Sequence, residues 1–193
     1  VPLVIRTVSG GGSQLAASHS QSLEGWYAQV PGLKVVAPAT PYDAKGLLKS
    51  AVRDDDPVVF LEHKRTYRLV RGEVPDEEYT VPLGEAEIKI EGEHVSVITY
   101  GLMVHHCIEA ARSVADKGIS VEVVDLRTLV PMDKGTVVDS VKKTGKALIV
   151  HEDTKTGGVG GEVAAVIAEE AFDYLDAPVV RLAGPDVPAM PFS

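Results

Sequence analysis

Short apolar runs alternate with segments of helical period along most of this chain, and that alternation leaves few architectures open. Leu33-Lys34-Val35-Val36-Ala37-Pro38 reads as a short buried strand. Thr40-Pro41-Tyr42-Asp43 then announces a helix, with a capping hydroxyl and a proline in the first turn. Ala44, Leu47, Leu48 and Ala51 fall on one side of it, Asp54-Asp55-Asp56 and Pro57 end it, and Val58-Val59-Phe60-Leu61-Glu62 is the next strand. Further on, the pattern predicts helices over 102–117, 133–143 and 160–175, and strands over 120–125, 146–150 and 178–183. Val104, Ile108, Ala111 and Ala115 form the inner stripe of the first of these helices, Asp133 can cap the second and Gly145 can close it. The fold class is therefore α/β, with helices packed on largely parallel sheets.

Two segments interrupt the alternation. Residues 63–84 are charged and proline-bearing without a sustained period, which predicts an interdomain linker and a boundary near residue 85. Just beyond it, 86–90 and 95–100 flank the turn-like Glu91-Gly92-Glu93 and predict a hairpin. The chain opens on the strand-like Val1-Pro2-Leu3-Val4-Ile5-Arg6 without a methionine, so the expectation is a piece of a longer protein.

Charge and cysteine usage exclude several function classes. Nineteen Lys and Arg against 28 Asp and Glu give a net charge of −9, whose field repels nucleic acid and anionic lipid. No window approaches the ~20 apolar residues that a bilayer span requires. The single cysteine, Cys107, has no intramolecular partner, and its apolar neighbours predict an inert core thiol or a reduced, intracellular setting.

Few residues are candidates for chemistry. His19, in His19-Ser20-Gln21-Ser22, follows the glycine run Gly10-Gly11-Gly12 and a small-residue stretch, where a side chain can project into a cleft and exchange a proton near neutral pH. Ordinary polar packing is the competing use, and Ser20 lacks the G-x-S-x-G elbow of a hydrolase. His105 and His106 are adjacent on a helix, so their side chains diverge and are read as solvated or partner-facing. His151-Glu152-Asp153 ends a strand, where open α/β sheets place functional loops. Gly157-Gly158-Val159-Gly160-Gly161 departs from G-x-G-x-x-G because position 163 is Val163, so close packing is the simpler use of those glycines. Consecutive carboxylates at 54–56 point apart, and a solvated helix end is their usual outcome.

Taken together, His19-Ser20-Gln21-Ser22-Leu23-Glu24-Gly25-Trp26-Tyr27, Val30-Pro31-Gly32-Leu33-Lys34-Val35-Val36, Asp43-Ala44-Lys45-Gly46-Leu47-Leu48 and Arg53-Asp54-Asp55-Asp56-Pro57-Val58-Val59-Phe60-Leu61-Glu62 resemble, in order and spacing, the beta subunits of thiamine-diphosphate-dependent 2-oxo acid and acetoin dehydrogenases. Val123-Val124-Asp125-Leu126-Arg127-Thr128-Leu129-Val130-Pro131, Lys142-Lys143-Thr144-Gly145 and Thr156-Gly157-Gly158 are similar to the C-terminal domain of the wider transketolase-like group. The resemblance covers nearly the whole chain. It implies the later part of a pyrimidine-binding domain over 1–62, a linker over 63–84, and over 85–193 a transketolase C-terminal three-layer α/β domain lacking its last segment. Gly184-Pro185-Asp186-Val187-Pro188-Ala189-Met190-Pro191 is similar to the family's stretch before its final helix.

What the resemblance implies about function follows. The activity would be oxidative decarboxylation of a 2-oxo acid with reductive acylation of a lipoyl group. Leu15-Ala16-Ala17-Ser18-His19 is more similar to the pyruvate and acetoin enzymes than to the branched-chain ones, so pyruvate is the expected substrate, with acetoin or a branched-chain 2-oxo acid as the enzymatic alternatives. His19 matches the family's active-site histidine. Leu3, Ala51, Val52, Asp54 and Asp56 match positions that hold a structural potassium ion, mainly through backbone oxygens; Asp56 departs from the common asparagine. The glutamate that activates the cofactor's aminopyrimidine ring belongs upstream of Val1, so no cofactor-binding residue is assigned in this segment. Magnesium and the diphosphate motif would reside on an alpha subunit. Partners would be that alpha subunit, a second beta subunit and the lipoyl acyltransferase component, in the cytoplasm or, in a eukaryote, the mitochondrial matrix. A non-catalytic docking scaffold is the reading of a different class.

Overall fold

In the computed structural model, which describes residues 1–13 and 15–188, Val58-Val59-Phe60-Leu61 is almost wholly inaccessible and lies between two parallel neighbours in the first sheet. A strand covered on both faces needs an unbroken apolar run rather than an alternating one, and this segment supplies it. It belongs to β3 (Pro57–His63), flanked by β1 (Leu3–Ser9) and β2 (Lys34–Val36), both parallel to it. Between β1 and β2 lie two short helices, α1 (Ala16–His19) and α2 (Glu24–Ala28). Helix α3 (Pro41–Val52) joins β2 to β3. The Thr40 hydroxyl accepts from the Asp43 N–H at 3.1 Å and Pro41 opens the first turn, as the sequence predicts. Leu47 and Ala51 bury against Phe60 and Val81.

Residues 64–84 run back across α3 and include a one-turn helix, α4 (Thr66–Leu69). Tyr79 stacks on Tyr42 with ring centroids 4.5 Å apart, Glu78 pairs with Lys49 and Arg53, and Val81 enters the core.

The second sheet has the order β4-β6-β5-β8-β9 among the described residues, from β4 (Glu87–Ile90), β5 (Val95–Thr99), β6 (Val121–Asp125), β8 (Ala147–Thr154) and β9 (Val180–Gly184). Helices α5 (Met103–Ala115), α6 (Lys134–Thr144) and α7 (Gly160–Glu170) cover it. Asp133 caps α6 by accepting from the Thr136 N–H at 3.0 Å, and Gly145 closes it in the left-handed conformation. Cys107 is buried in the α5 face, and burial pushes its thiol up to about 11. No helix among the described residues is long and apolar enough to cross a membrane.

Three expectations need correction, and one strand is an addition. The hairpin does not form: β4 and β5 are separated by β6, which pairs antiparallel with β4 and parallel with β5. Glu91-Gly92-Glu93 is instead a crossing over the start of β6, where Gly92 lies so close to the backbone of Val121 and Glu122 that a Cβ would collide with it. The last helix stops at Glu170, followed by a 3-10 turn (Phe172–Tyr174) that lets the Asp176 N–H donate to the Gly145 carbonyl at 2.8 Å. On α5, Cys107 takes the inner position and Ala115 is exposed. Finally, β7 (Thr128–Val130) was not anticipated; it leaves the second half of the chain and pairs antiparallel with β2 in the first sheet.

That strand makes one core out of two sheets. Val35, Ala37, Val59 and Leu61 pack in the same cluster as Ile98, Tyr100, Val124, Leu126 and Leu129. Polar groups lock the seam beside it: the Arg127 guanidinium, on a residue with φ of 54°, reaches Asp43 at 3.2 Å and the carbonyls of Glu85 and Ala86, and Lys89 reaches Asp43 from the other side at 3.2 Å.

Gly92→Val should lower stability by roughly 1–3 kcal/mol, the usual cost of forcing atoms into a filled space. The midpoint of urea unfolding would fall with its slope unchanged; an unchanged midpoint would mean the chain does not cross β6 this closely.

Candidate functional site

The glycine run after β1 turns at the seam between the two sheets, and its glycines are there for contact. Gly10 has a φ of 87°, and a Cβ on it would enter the ring of His63, the last residue of β3. Its N–H donates to the carbonyl of Gln21 at 2.9 Å, so residues 10–21 leave and return through one neck. His19 lies on the outer part of that loop, at the end of α1, with its ring exposed to solvent.

The neck is gripped from the second half of the chain by the end of β8. Glu152 accepts from the Gly11 N–H at 2.6 Å with one carboxylate oxygen and meets His63 Nε2 at 2.6 Å with the other. Burial alone would push this carboxyl up, but His63, the Gly11 N–H and the charge of Arg65 outweigh it and hold Glu152 below the usual range. Glu24, at the start of α2, has the opposite fate. It is buried, accepts a 3.0 Å bond from the Ser9 hydroxyl, and keeps its second oxygen without a partner among the described residues. Desolvation, with Asp153 and Glu152 close by, raises it from 4.5 to about 7.

Around these groups lie a small cavity and two more buried side chains. Ser9, Glu24, His63, Tyr100 and Glu152 border a space of about 20 Å³, room for one water. Burial first, then the nearby carboxyls, push the Tyr100 hydroxyl well above the usual phenol range. His151 stacks on Tyr100 with ring centroids 6.3 Å apart, and its two ring nitrogens have no hydrogen-bond partner among the described residues. Burial and then the charge of Arg181 lower it, so it stays neutral at pH 7. Gly158 and Gly160 press their backbone on its ring, which is the packing use expected of that glycine stretch.

The other candidates lie apart from this cluster. His105 is partly buried and its Nε2 lies 2.8 Å from the Ala39 carbonyl, so it bridges α5 to the first half of the chain rather than standing in solvent; His106 is exposed. Leu3 pairs with Pro57 at the start of β1 and β3, close to the end of α3 where Ala51 and Val52 sit. Asp54 and Asp56 are joined by an Asp56 N–H to Asp54 bond of 2.9 Å, and both carboxylates face the Lys34 ammonium, at 2.6 and 3.2 Å. Ala189, Met190 and Pro191, of the segment likened to the stretch before a final helix, lie outside the described residues. A separate cleft of about 600 Å³ runs between α2, β7 and the start of α7, bordered by Gly25, Leu129, Met132 and Glu162, and does not include His19.

Sequence reasoning singled out His19 and the 151–153 triplet but not their connection, and it passed over Glu24 and His63. A carboxylate among small and aromatic residues in Leu23-Glu24-Gly25-Trp26 was the available signal. No local pattern marks His63 as Glu152's partner, because 89 positions separate them.

Comparisons with known proteins fit this geometry. Residues 84–193 match the family model for the transketolase C-terminal domain, and residues 1–70 match that for the transketolase pyrimidine binding domain. The chain is 56% identical over 192 residues to the 2-oxoisovalerate dehydrogenase subunit beta of Bacillus subtilis (strain 168), and 54% identical over 192 residues to the pyruvate dehydrogenase E1 component subunit beta of the same strain. Each match takes in 100% of this chain and 59% of the relative. A solved structure, the split gene transketolase in an inactive beta4 tetramer, superposes with a TM-score of 0.80 at 28% identity, over 95% of this chain and 58% of that one.

The two carboxyls of the seam make a pH prediction. Because Glu24 binds its proton more tightly folded than unfolded, it lowers stability as pH climbs from 4.5 to about 7, and no further above that. Glu24→Gln keeps an acceptor for Ser9 and removes the titration, so the variant should gain on the order of 3 kcal/mol over the parent across that window. Asp125, also raised to about 7, titrates alike in both chains and cancels in the difference. Urea melts at pH 4.5, 6, 7 and 8 measure it; parallel curves would remove Glu24 as a strained acid.

Proposed function

The chain belongs to the transketolase family, and on that premise we propose that it is the later part of the beta subunit of a thiamine-diphosphate-dependent 2-oxo acid dehydrogenase acting with an alpha subunit. The observation that carries the proposal is an exposed imidazole, His19, on a loop closed at its neck, in a chain more than half identical to two dehydrogenase beta subunits along its whole length. The chain spans about three fifths of those relatives.

Thiamine diphosphate, when bound, supplies the electron sink that lets carbon dioxide leave a 2-oxo acid. We assign the magnesium and diphosphate end of the cofactor to the alpha subunit. The part we give to this chain is proton handling. As the acyl unit passes to the lipoyl group of the acyltransferase component, His19 protonates the sulfur released when the dithiolane ring opens. A second beta subunit completes the assembly, in the cytoplasm or the mitochondrial matrix of a eukaryote. We also keep a structural potassium ion at Leu3, Ala51, Val52, Asp54 and Asp56. Carbonyls at a helix C-terminus favour a cation, and because the Lys34 ammonium already faces both carboxylates, the ion would rely on backbone oxygens.

Pyruvate is the proposed substrate. A branched-chain 2-oxo acid is the second reading, favoured by the relative of 56% identity named for 2-oxoisovalerate. With the full-length protein reconstituted with an alpha subunit, turnover of pyruvate, 2-oxoisovalerate and acetoin should rank pyruvate first. In the same assay, His19→Ala should slow acyl transfer to a saturating lipoyl domain by on the order of 100-fold or more, the scale of a lost general acid. Near-normal transfer would take His19 out of the mechanism. Replacing lithium by potassium at equal ionic strength should raise the melting temperature, because an ion bound only by the folded state stabilises it; equal melting in the two salts would remove the potassium site.

A further inference from the structure

We infer that Glu152 is a positioning residue for His19, acting through the neck of the loop that carries the imidazole. This rests on the role proposed for His19 above and adds a residue to it from the opposite half of the chain.

The loop has little of its own to hold it. It contains three consecutive glycines, its α1 is only four residues long, and Gly10, Gly12 and Ala16 all have positive φ. Such a segment has many conformations of similar energy. What restrains it is a set of ties at the neck: Gly10 N–H to the Gln21 carbonyl at 2.9 Å, Ser9 Oγ to Glu24 at 3.0 Å, and Gly11 N–H to Glu152 at 2.6 Å. Of these three, the last grips the glycine run from the second half of the chain. The Cβ direction of Gly11 points at Glu152 and lies 3.5 Å from the carbonyl of Ser20, the residue after His19. Glu152 therefore holds the strand of the neck that lies against the outgoing end of α1. Its second oxygen is fixed by His63 at 2.6 Å, so the grip is rigid at both ends.

Without that carboxylate the Gly11 N–H loses its acceptor and the imidazole samples more orientations. Misorientation of a proton donor costs turnover rather than substrate binding. Length decides the rescue. Glu152→Gln keeps an oxygen for Gly11 at the same reach, with its amide N–H facing a His63 ring that must move its proton from Nε2 to Nδ1 and give up the 3.2 Å bond from the Arg65 N–H, whereas Glu152→Asp keeps the charge but withdraws it by one methylene.

The test uses the full-length protein with its alpha subunit, with isolated lipoyl domain as the acyl acceptor and His19→Ala run in parallel. Glu152→Ala and Glu152→Asp should each lose on the order of 10- to 100-fold in kcat for acyl transfer, and Glu152→Gln should stay within about threefold of the parent. KM for the 2-oxo acid should change by no more than about twofold in all three, the sign of an interaction that matters after substrate is bound. Hydrogen exchange in peptides from 10–22 should speed up in the Ala and Asp variants and not in Gln, with peptides from 121–150 unchanged. If the Ala variant does not fold, the contrast between Asp and Gln carries the test. A slow His19→Ala beside a Glu152→Ala or Glu152→Asp variant of normal kcat, or beside a Gln variant as slow as Asp, overturns this inference and spares the role of His19. A normal His19→Ala overturns both.

Discussion

The antiparallel pairing of Thr128–Val130 with β2 is the contact on which the rest of the molecule depends. Without it the two sheets would be neighbours joined by a segment; with it, residues from both bury in one cluster. The pairing also fixes where β8 ends relative to β1. The C-terminal ends of parallel strands are where α/β sheets collect functional groups, and here two such ends meet: Ser9 and His63 from the first sheet, His151 to Asp153 from the second. A strand of three residues thereby sets the geometry of a loop more than a hundred positions earlier in the chain.

At that junction two glutamates a few ångströms from the same cavity are driven apart in chemistry by their partners. Glu152 has a backbone N–H, an imidazole and a nearby guanidinium to favour its charge. Glu24 has one hydroxyl and two acidic neighbours, Asp153 and Glu152, and burial dominates. Both ionised together would place unshielded like charges in a dry seam, which is the costly arrangement. Below pH 7 the proton held by Glu24 relieves that repulsion, and the charge on Glu152 anchors the loop. His151, neutral and wedged between Tyr100 and two glycines, adds no charge to the balance.

How much of this could be read from the chain depends on the range of the interaction. The capped start of α3, the closure of α6 at Gly145 and the apolar run of β3 are local, so residue order within a few positions suffices to place them. The false hairpin at Glu91-Gly92-Glu93 shows the limit: the turn chemistry was present, but β6 inserts between the two strands, and only the close pass of Gly92 over Val121 records it. Strand β7 escaped notice because three residues carry no period. Of the site, His19 and the 151–153 triplet were visible as residue types in suggestive places. The Glu152 tie to Gly11 spans 141 positions and is visible only in three dimensions.

The relatives bear on which part of the proposed reaction this segment can control. Two dehydrogenase beta subunits named for different 2-oxo acids are 56% and 54% identical to it over the same 192 residues, a difference too small to order them. Near-equal overall identity to both leaves the choice between a methyl and a branched side chain on the substrate to particular residues that identity alone does not pick out. What the geometry offers instead, an exposed imidazole on a loop moored across the seam, suits a step that does not see the 2-oxo acid at all. Transfer of an acyl unit to a lipoyl group is such a step under the proposal, since the acceptor is the same whichever acid was decarboxylated. Under the proposal, the mooring at Glu152 would serve enzymes for either acid alike.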